Sequence, residues 1–182
     1  MFDLERFIDL CRAALAEDET HKAVREVVAR AVTDPGNVME GLGKPTLGGI
    51  NRLYQAPDLT ILNVVWAPRM TIMPHNHNMW AVVGVYSGRE DNIFWRRLSD
   101  DPEGRIEAAG AKSLGIAETA PLGGNIIHSV TNPTSKFTGA LHVYGGDFYE
   151  MERSEWEPET LVESPYSVEH SLSVFAEANA RV

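Results

Sequence analysis

The sequence predicts an all-β fold, a jelly-roll barrel carrying an N-terminal helical extension. Three observations predict it. From about residue 45, short β-rich runs alternate with Gly/Pro/Asn/Asp breaks, the texture of a sandwich or barrel. The run Ala81-Val82-Val83-Gly84-Val85-Tyr86 is apolar throughout, which suits a strand covered on both faces. Residues before 45 instead carry apolar side chains at helical spacing.

The extension, residues 1–44, reads as two helices. Leu4, Phe7, Ile8, Cys11 and Leu15 form the stripe of the first. Thr20 is placed to cap a second, striped by Val24, Val27, Val28 and Ala31 and ended by Asp34-Pro35-Gly36. Cys11 lies on the first stripe and reads as a core residue. Residues 45–182 form the barrel and its tail, one domain with the extension. Its strand candidates are Thr60 to Trp66, Met70 to Met73, Ala81 to Tyr86, Asn92 to Arg97, Gly124 to Val130 and Phe137 to Tyr144. The acidic tail from Asp147 is expected to wrap the barrel, with a short helix around Val168 to Ala178.

Composition narrows the function classes. At 182 residues, 43% hydrophobic and 23% charged, the chain is an ordinary globular one. Its formal net charge of −10, with no basic cluster, argues against a nucleic-acid partner. No run of about 18 apolar residues exists, so no membrane span or membrane partner is expected. Met1-Phe2-Asp3-Leu4-Glu5-Arg6 lacks the basic start and apolar block of a secretory signal. One cysteine excludes an intrachain disulfide and any cysteine-rich zinc site. Together these point to the cytoplasm. No phosphate-cradling glycine loop and no nucleophile elbow is present.

Pro74-His75-Asn76-His77 carries the most chemistry. Side chains at i and i+2 of a strand share a face, so His75 and His77 point together. His128 follows a glycine turn 51 residues after His77, room for three or four short strands to bring it back beside the pair. Three neutral imidazoles, with no thiolate, suit iron, copper, nickel or zinc over magnesium or calcium. They leave coordination positions for substrate, dioxygen or water. Zinc with three histidines and a water would make a hydrolytic site. His142 and Tyr144 form a second same-face pair, able to hydrogen-bond each other or a ligand. Glu90-Asp91, after the Ser87-Gly88 turn, reads as a solvated hairpin tip. In Arg96-Arg97 one side chain must point inward, where it would hold an anionic substrate bidentately.

His75-Asn76-His77-Asn78-Met79-Trp80, the Ser87-Gly88 turn, His128-Ser129-Val130-Thr131-Asn132 and Leu141-His142-Val143-Tyr144-Gly145 resemble the cysteine dioxygenase-like (thiol dioxygenase) cupins over roughly residues 50 to 150. The resemblance extends to predicted metal-dependent enzymes of the double-stranded β-helix superfamily. It implies a cupin-type barrel with mononuclear non-haem iron(II) held by His75, His77 and His128. It also implies addition of dioxygen to a small thiol such as cysteine or 3-mercaptopropionate, giving a sulfinate. His142 and Tyr144 match the family's His-x-Tyr pair, whose tyrosine faces substrate, and Trp80 matches a tryptophan of bacterial members. The family's substrate-carboxylate arginine or glutamine comes from the strand before the metal histidines, where this chain offers Arg52 and Gln55.

Departures from the family are visible too. Met79-Trp80-Ala81-Val82 supplies no glutamate ligand and no cysteine to cross-link Tyr144, and Ala140 stands where the family has a serine. A three-histidine cupin with such departures also suits β-diketone cleavage, isomerisation or zinc hydrolysis, or a non-catalytic ligand-binding module. The expected partners are a small-molecule substrate and dioxygen, and the chain is expected to be a monomer or homodimer.

Overall fold

Local capping rules set the first three elements. The computed structural model describes residues 1–182. Asp3 caps α1 (Leu4–Glu17), accepting from the Arg6 N–H, and Thr20 caps α2 (His21–Val32). The sequence predicts two helices in the extension, the second ending at Asp34-Pro35-Gly36, but a third, α3 (Pro35–Leu42), begins there. Asp34 is its N-cap and Pro35 sits in its first turn, where a missing N–H costs nothing. The residues that stop one helix therefore start the next.

Eleven strands follow: β1 (Gly49–Ala56), β2 (Leu59–Trp66), β3 (Thr71–Asn76), β4 (Ala81–Ser87), β5 (Glu90–Arg97), β6 (Ile106–Leu114), β7 (Thr119–Leu122), β8 (Ile127–Thr131), β9 (Thr138–Tyr144), β10 (Ser154–Trp156) and β11 (Glu163–Pro165). Helix α4 (Val168–Asn179) ends the chain, close to where the sequence places it. The strands form two antiparallel sheets, ordered β1-β2-β9-β4-β7 and β11-β10-β3-β8-β5-β6. From β2 to β9 the chain crosses repeatedly between the sheets, the jelly-roll winding.

β2, β4 and β9 are buried almost throughout because both their faces are covered. Leu62, Val64, Trp66, Val83, Val85 and Tyr144 face the barrel interior. Alternate residues Ile61, Val82, Tyr86, Leu141 and Val143 face outward against Val24, Val28, Phe7 and Cys11 of the helices. Gly84 permits this second layer. A Cβ there would lie 2.5 Å from Val28 Cγ1. The tail adds β10 beside β3, and α4 stacks Phe175 on Trp66 with ring centroids 5.5 Å apart. Asn179 ties that helix to the start of β1 through both backbone groups of Gly48.

Cys11 is sealed in the outer core, and burial pushes its thiol up to about 12. Little thiolate then exists near neutral pH, and the thiolate is the nucleophile. In the native protein Cys11 should resist Ellman's reagent, and its modification rate should track global unfolding across a urea series.

Candidate metal centre

β3 and β8 pair so that His75 stands directly across from His128. The ladder between them slips between Ile72 and His75. Pro74, which has no N–H to give a ladder, lies within the slip. His77 lies just past the end of β3, before a turn in which Asn78 adopts φ +54° and donates to the Glu152 carbonyl. The three rings meet with centroids 4.7–5.0 Å apart, and their ligating nitrogens all lie within 4.8 Å of one another. His77 Nε2 and His128 Nε2 are 3.4 Å apart.

Each outer nitrogen that has a partner meets an acceptor. His75 Nδ1 lies 3.0 Å from the Met73 carbonyl, and His128 Nδ1 lies 2.7 Å from Asn92 Oδ1. Oxygens that only accept require Nδ1–H, which leaves Nε2 bare on the inner side. Burial lowers the pKa of all three rings, that of His75 to about 4. The neutral imidazole is the form that ligates a metal. The enclosed space is about 20 Å³, enough for an ion or one water. Its remaining wall is mainly apolar, with Leu62, Ile72, Val130 and Phe148 among the residues.

A second polar set adjoins the first. Tyr144 packs edge-on to His77, and its hydroxyl is 3.1 Å from His142 Nδ1. Burial raises the Tyr144 pKa, keeping the phenol protonated. His142 Nε2 lies 3.3 Å from Glu90 Oε2, which also accepts from Trp66 Nε1 at 2.8 Å. Glu90 Oε1 accepts from Asn92 Nδ2 at 3.0 Å. Burial alone would push the Glu90 carboxyl up. His142 and the hydrogen bonds from His142, Asn92 and Trp66 outweigh it and hold the group below its usual range.

Several expectations need correction. Glu90 is not a solvated tip but fully buried. The turn ends at Arg89, β5 starts at Glu90, and Glu90 and Asn92 face inward on alternate positions. Arg52 is exposed and bonded to Gln55, which is held in turn by Asp147. Neither lines the cavity, where β1 contributes Ile50 instead. The ladder irregularity between Arg52 and Tyr54 shifts this edge strand just as it leaves the site. Trp80 lies on the helical side of the sheet, against Gly145, and donates to the Glu19 carbonyl. Arg96 pairs with Glu107, while Arg97 pairs with Glu163 and covers the Trp156 ring, so neither reaches the cavity.

Sequence reading missed Arg153. Pairing of β10 with β3 sets Glu155 opposite His75 and carries Arg153 to the edge of the site. Its guanidinium lies 3.9 Å from the ring centroids of both Phe148 and Tyr166, two residues of the cavity wall. Nη1 is buried with no hydrogen-bond partner. Tyr166 also borders an open surface cleft of about 1080 Å³, lined by Asp101, Glu103, Tyr149 and Arg153 among others.

No family model matches the chain. Among solved structures it is similar to a Bacillus halodurans protein, at 12% identity and TM-score 0.50, over 60% of this chain and 78% of that one. It is also similar to an RmlC-like cupin family protein with a double-stranded β-helix fold from Methanocaldococcus jannaschii, at 11% identity and TM-score 0.46, over 59% of this chain and 86% of the other. A third is Bacillus subtilis oxalate decarboxylase, an enzyme with Mn(II) centres, at 15% identity and TM-score 0.40 over 50% of this chain. This chain spans 22% of the decarboxylase chain. At these identities the likeness is one of fold, and the site must speak for the chemistry.

Buried neutral imidazoles tie stability to pH. Between an unfolded value of about 6.5 and the His75 value of about 4, the unfolded chain binds protons that the native ring refuses. Stability of the metal-free protein is therefore complete above that window and falls with pH through it, by up to about 1.4 kcal/mol per pH unit for each such ring. Urea denaturation of metal-free protein at pH 7, 6 and 5 should show this slope, and His77→Leu should make it shallower.

Proposed function

We propose that this protein is a mononuclear non-haem iron(II) dioxygenase acting on a small thiol that carries a carboxylate, of the cysteine or 3-mercaptopropionate kind, and yielding a sulfinate. The observation that carries the reading is the juxtaposition of the buried three-imidazole set with the Tyr144 hydroxyl and the unpartnered Nη1 of Arg153. Iron(II) held by His75, His77 and His128 would supply a point where thiolate and dioxygen meet, both oxygen atoms ending on sulfur. Zinc, nickel or copper would also fit three imidazoles.

The chain's own residues account for the rest. Tyr144 takes a proton from the arriving thiol as it passes its own to His142 Nδ1, and Glu90 stabilises the resulting imidazolium. Arg153 offers a buried donor to the substrate carboxylate in a water-poor setting, where a charge-assisted bond is strongest. The Phe148 and Tyr166 rings, each 3.9 Å from the guanidinium carbon, hold the group in place. Leu62, Ile72, Val130 and Phe148 exclude water. The enclosed space takes little more than the metal, so the body of the substrate would lie past Tyr166 in the surface cleft that Tyr166 and Arg153 border.

Ala140, at the family's serine position, favours a second reading. A three-histidine cupin of this kind could act on a non-thiol substrate such as a β-diketone. Oxygen uptake by the iron-loaded protein separates the two. Cysteine or 3-mercaptopropionate should be consumed, and cysteamine, which lacks the carboxylate, should be a poorer substrate. Arg153→Met should raise KM for 3-mercaptopropionate by about tenfold or more, with little change for cysteamine. Consumption of no thiol by protein shown to hold its iron would remove the thiol reading.

A further inference from the structure

Glu90 is a carboxylate with no exposure to solvent, placed between two histidines of different duty. Its Oε2 receives Trp66 Nε1–H, a group that can only donate. The same oxygen faces His142 Nε2, so that nitrogen carries the hydrogen. His142 Nδ1 is then bare and accepts the Tyr144 hydroxyl, turning the phenol oxygen's lone pairs away from His142. On the other side, Glu90 Oε1 fixes the Asn92 amide with Nδ2 toward itself. Asn92 Oδ1 therefore faces His128 Nδ1, which must carry a hydrogen and leave Nε2 bare.

We propose that Glu90 is a positioning residue that sets two tautomers at once: the metal-ligating form of His128, through Asn92, and the proton-accepting form of His142, directly. An acceptor on both oxygens is needed, and an amide cannot supply it. In Glu90→Gln, an NH₂ turned toward Asn92 reverses that amide and forces hydrogen onto His128 Nε2, the ligating atom. An NH₂ turned toward Trp66 and His142 opposes the indole N–H and moves the His142 hydrogen to Nδ1. Either orientation breaks one arm.

The inference rests on the metal reading for His128 but not on the thiol, so the two fail separately. Long-range ¹H–¹⁵N NMR reads imidazole tautomers directly, in metal-free protein for His128 and in diamagnetic zinc-loaded protein for His142. The expected parent states are Nδ1–H for His128 and Nε2–H for His142. Glu90→Gln should switch at least one of them, and where His128 switches, cobalt(II) affinity should fall by about tenfold or more. Asn92→Leu should weaken cobalt(II) binding while leaving His142 unchanged. The opposite tautomer at either histidine of the parent overturns the proposal, whether or not Glu90→Gln folds. So does a folded Glu90→Gln with both tautomers and cobalt(II) affinity unaltered.

Discussion

A polar group placed inside an apolar barrel must find a partner or cost several kcal/mol, about 1–3 for each orphan by mutational measure. That constraint organises the interior of this protein. His75 gives its outer nitrogen to a backbone carbonyl and His128 gives its to Asn92. That leaves Nε2 bare on the inner side of His75 and His128, with His77 Nε2 3.4 Å from that of His128. Bare lone pairs held away from water are unfavourable unless a hydrogen or a cation joins them. Three buried imidazoles converging in this way suit a cation, and ligand softness favours iron, zinc, nickel or copper.

The fold supplies the rigidity this requires. Two neighbouring strands deliver His75 and His128 in direct register, and a third, β5, brings Asn92 and Glu90 behind them. The opposite sheet brings Trp66, His142 and Tyr144, so the polar chain running from Asn92 through Glu90 to Tyr144 bridges the two sheets. The helices matter indirectly. By covering the outer faces of β2, β4 and β9 they allow those strands to be apolar on both sides and firmly packed. The tail has a different task. Its β10 strand closes the flank of β3 and carries in Arg153, the one fixed positive charge found at the rim of the cavity.

Legibility in the sequence followed the strength of local rules. His75 and His77 were readable because strand alternation is strict, and His128 because a glycine turn announced a returning strand. Thr20 and the valine stripe of α2 were readable for similar reasons. β6 was not, since most of its residues are exposed and it shows no apolar alternation. β7 was hidden by Pro121, tolerated because β7 is an edge strand. Glu90 reads as a surface acid because charge usually marks solvent; its alternation with Asn92 is the signal that places it inside. Arg153 carried no local signal at all. Its position depends on a pairing between the tail and β3 across roughly eighty residues of chain, a tertiary event with no short-range pattern. Arg52 and Gln55 failed for the complementary reason: a ladder irregularity and the side chain of Asp147 decide where an edge strand's residues end.

The central claim is that His75, His77 and His128 hold one metal ion through Nε2. X-ray absorption spectroscopy on zinc-loaded protein tests it most directly. The account predicts one zinc per chain, with three imidazole nitrogens at about 2.0–2.1 Å and the remaining positions filled by light atoms from solvent. The imidazole signature should be lost in His77→Ala. A zinc shell built from carboxylate oxygens or sulfur, or an unchanged spectrum in His77→Ala, would contradict it.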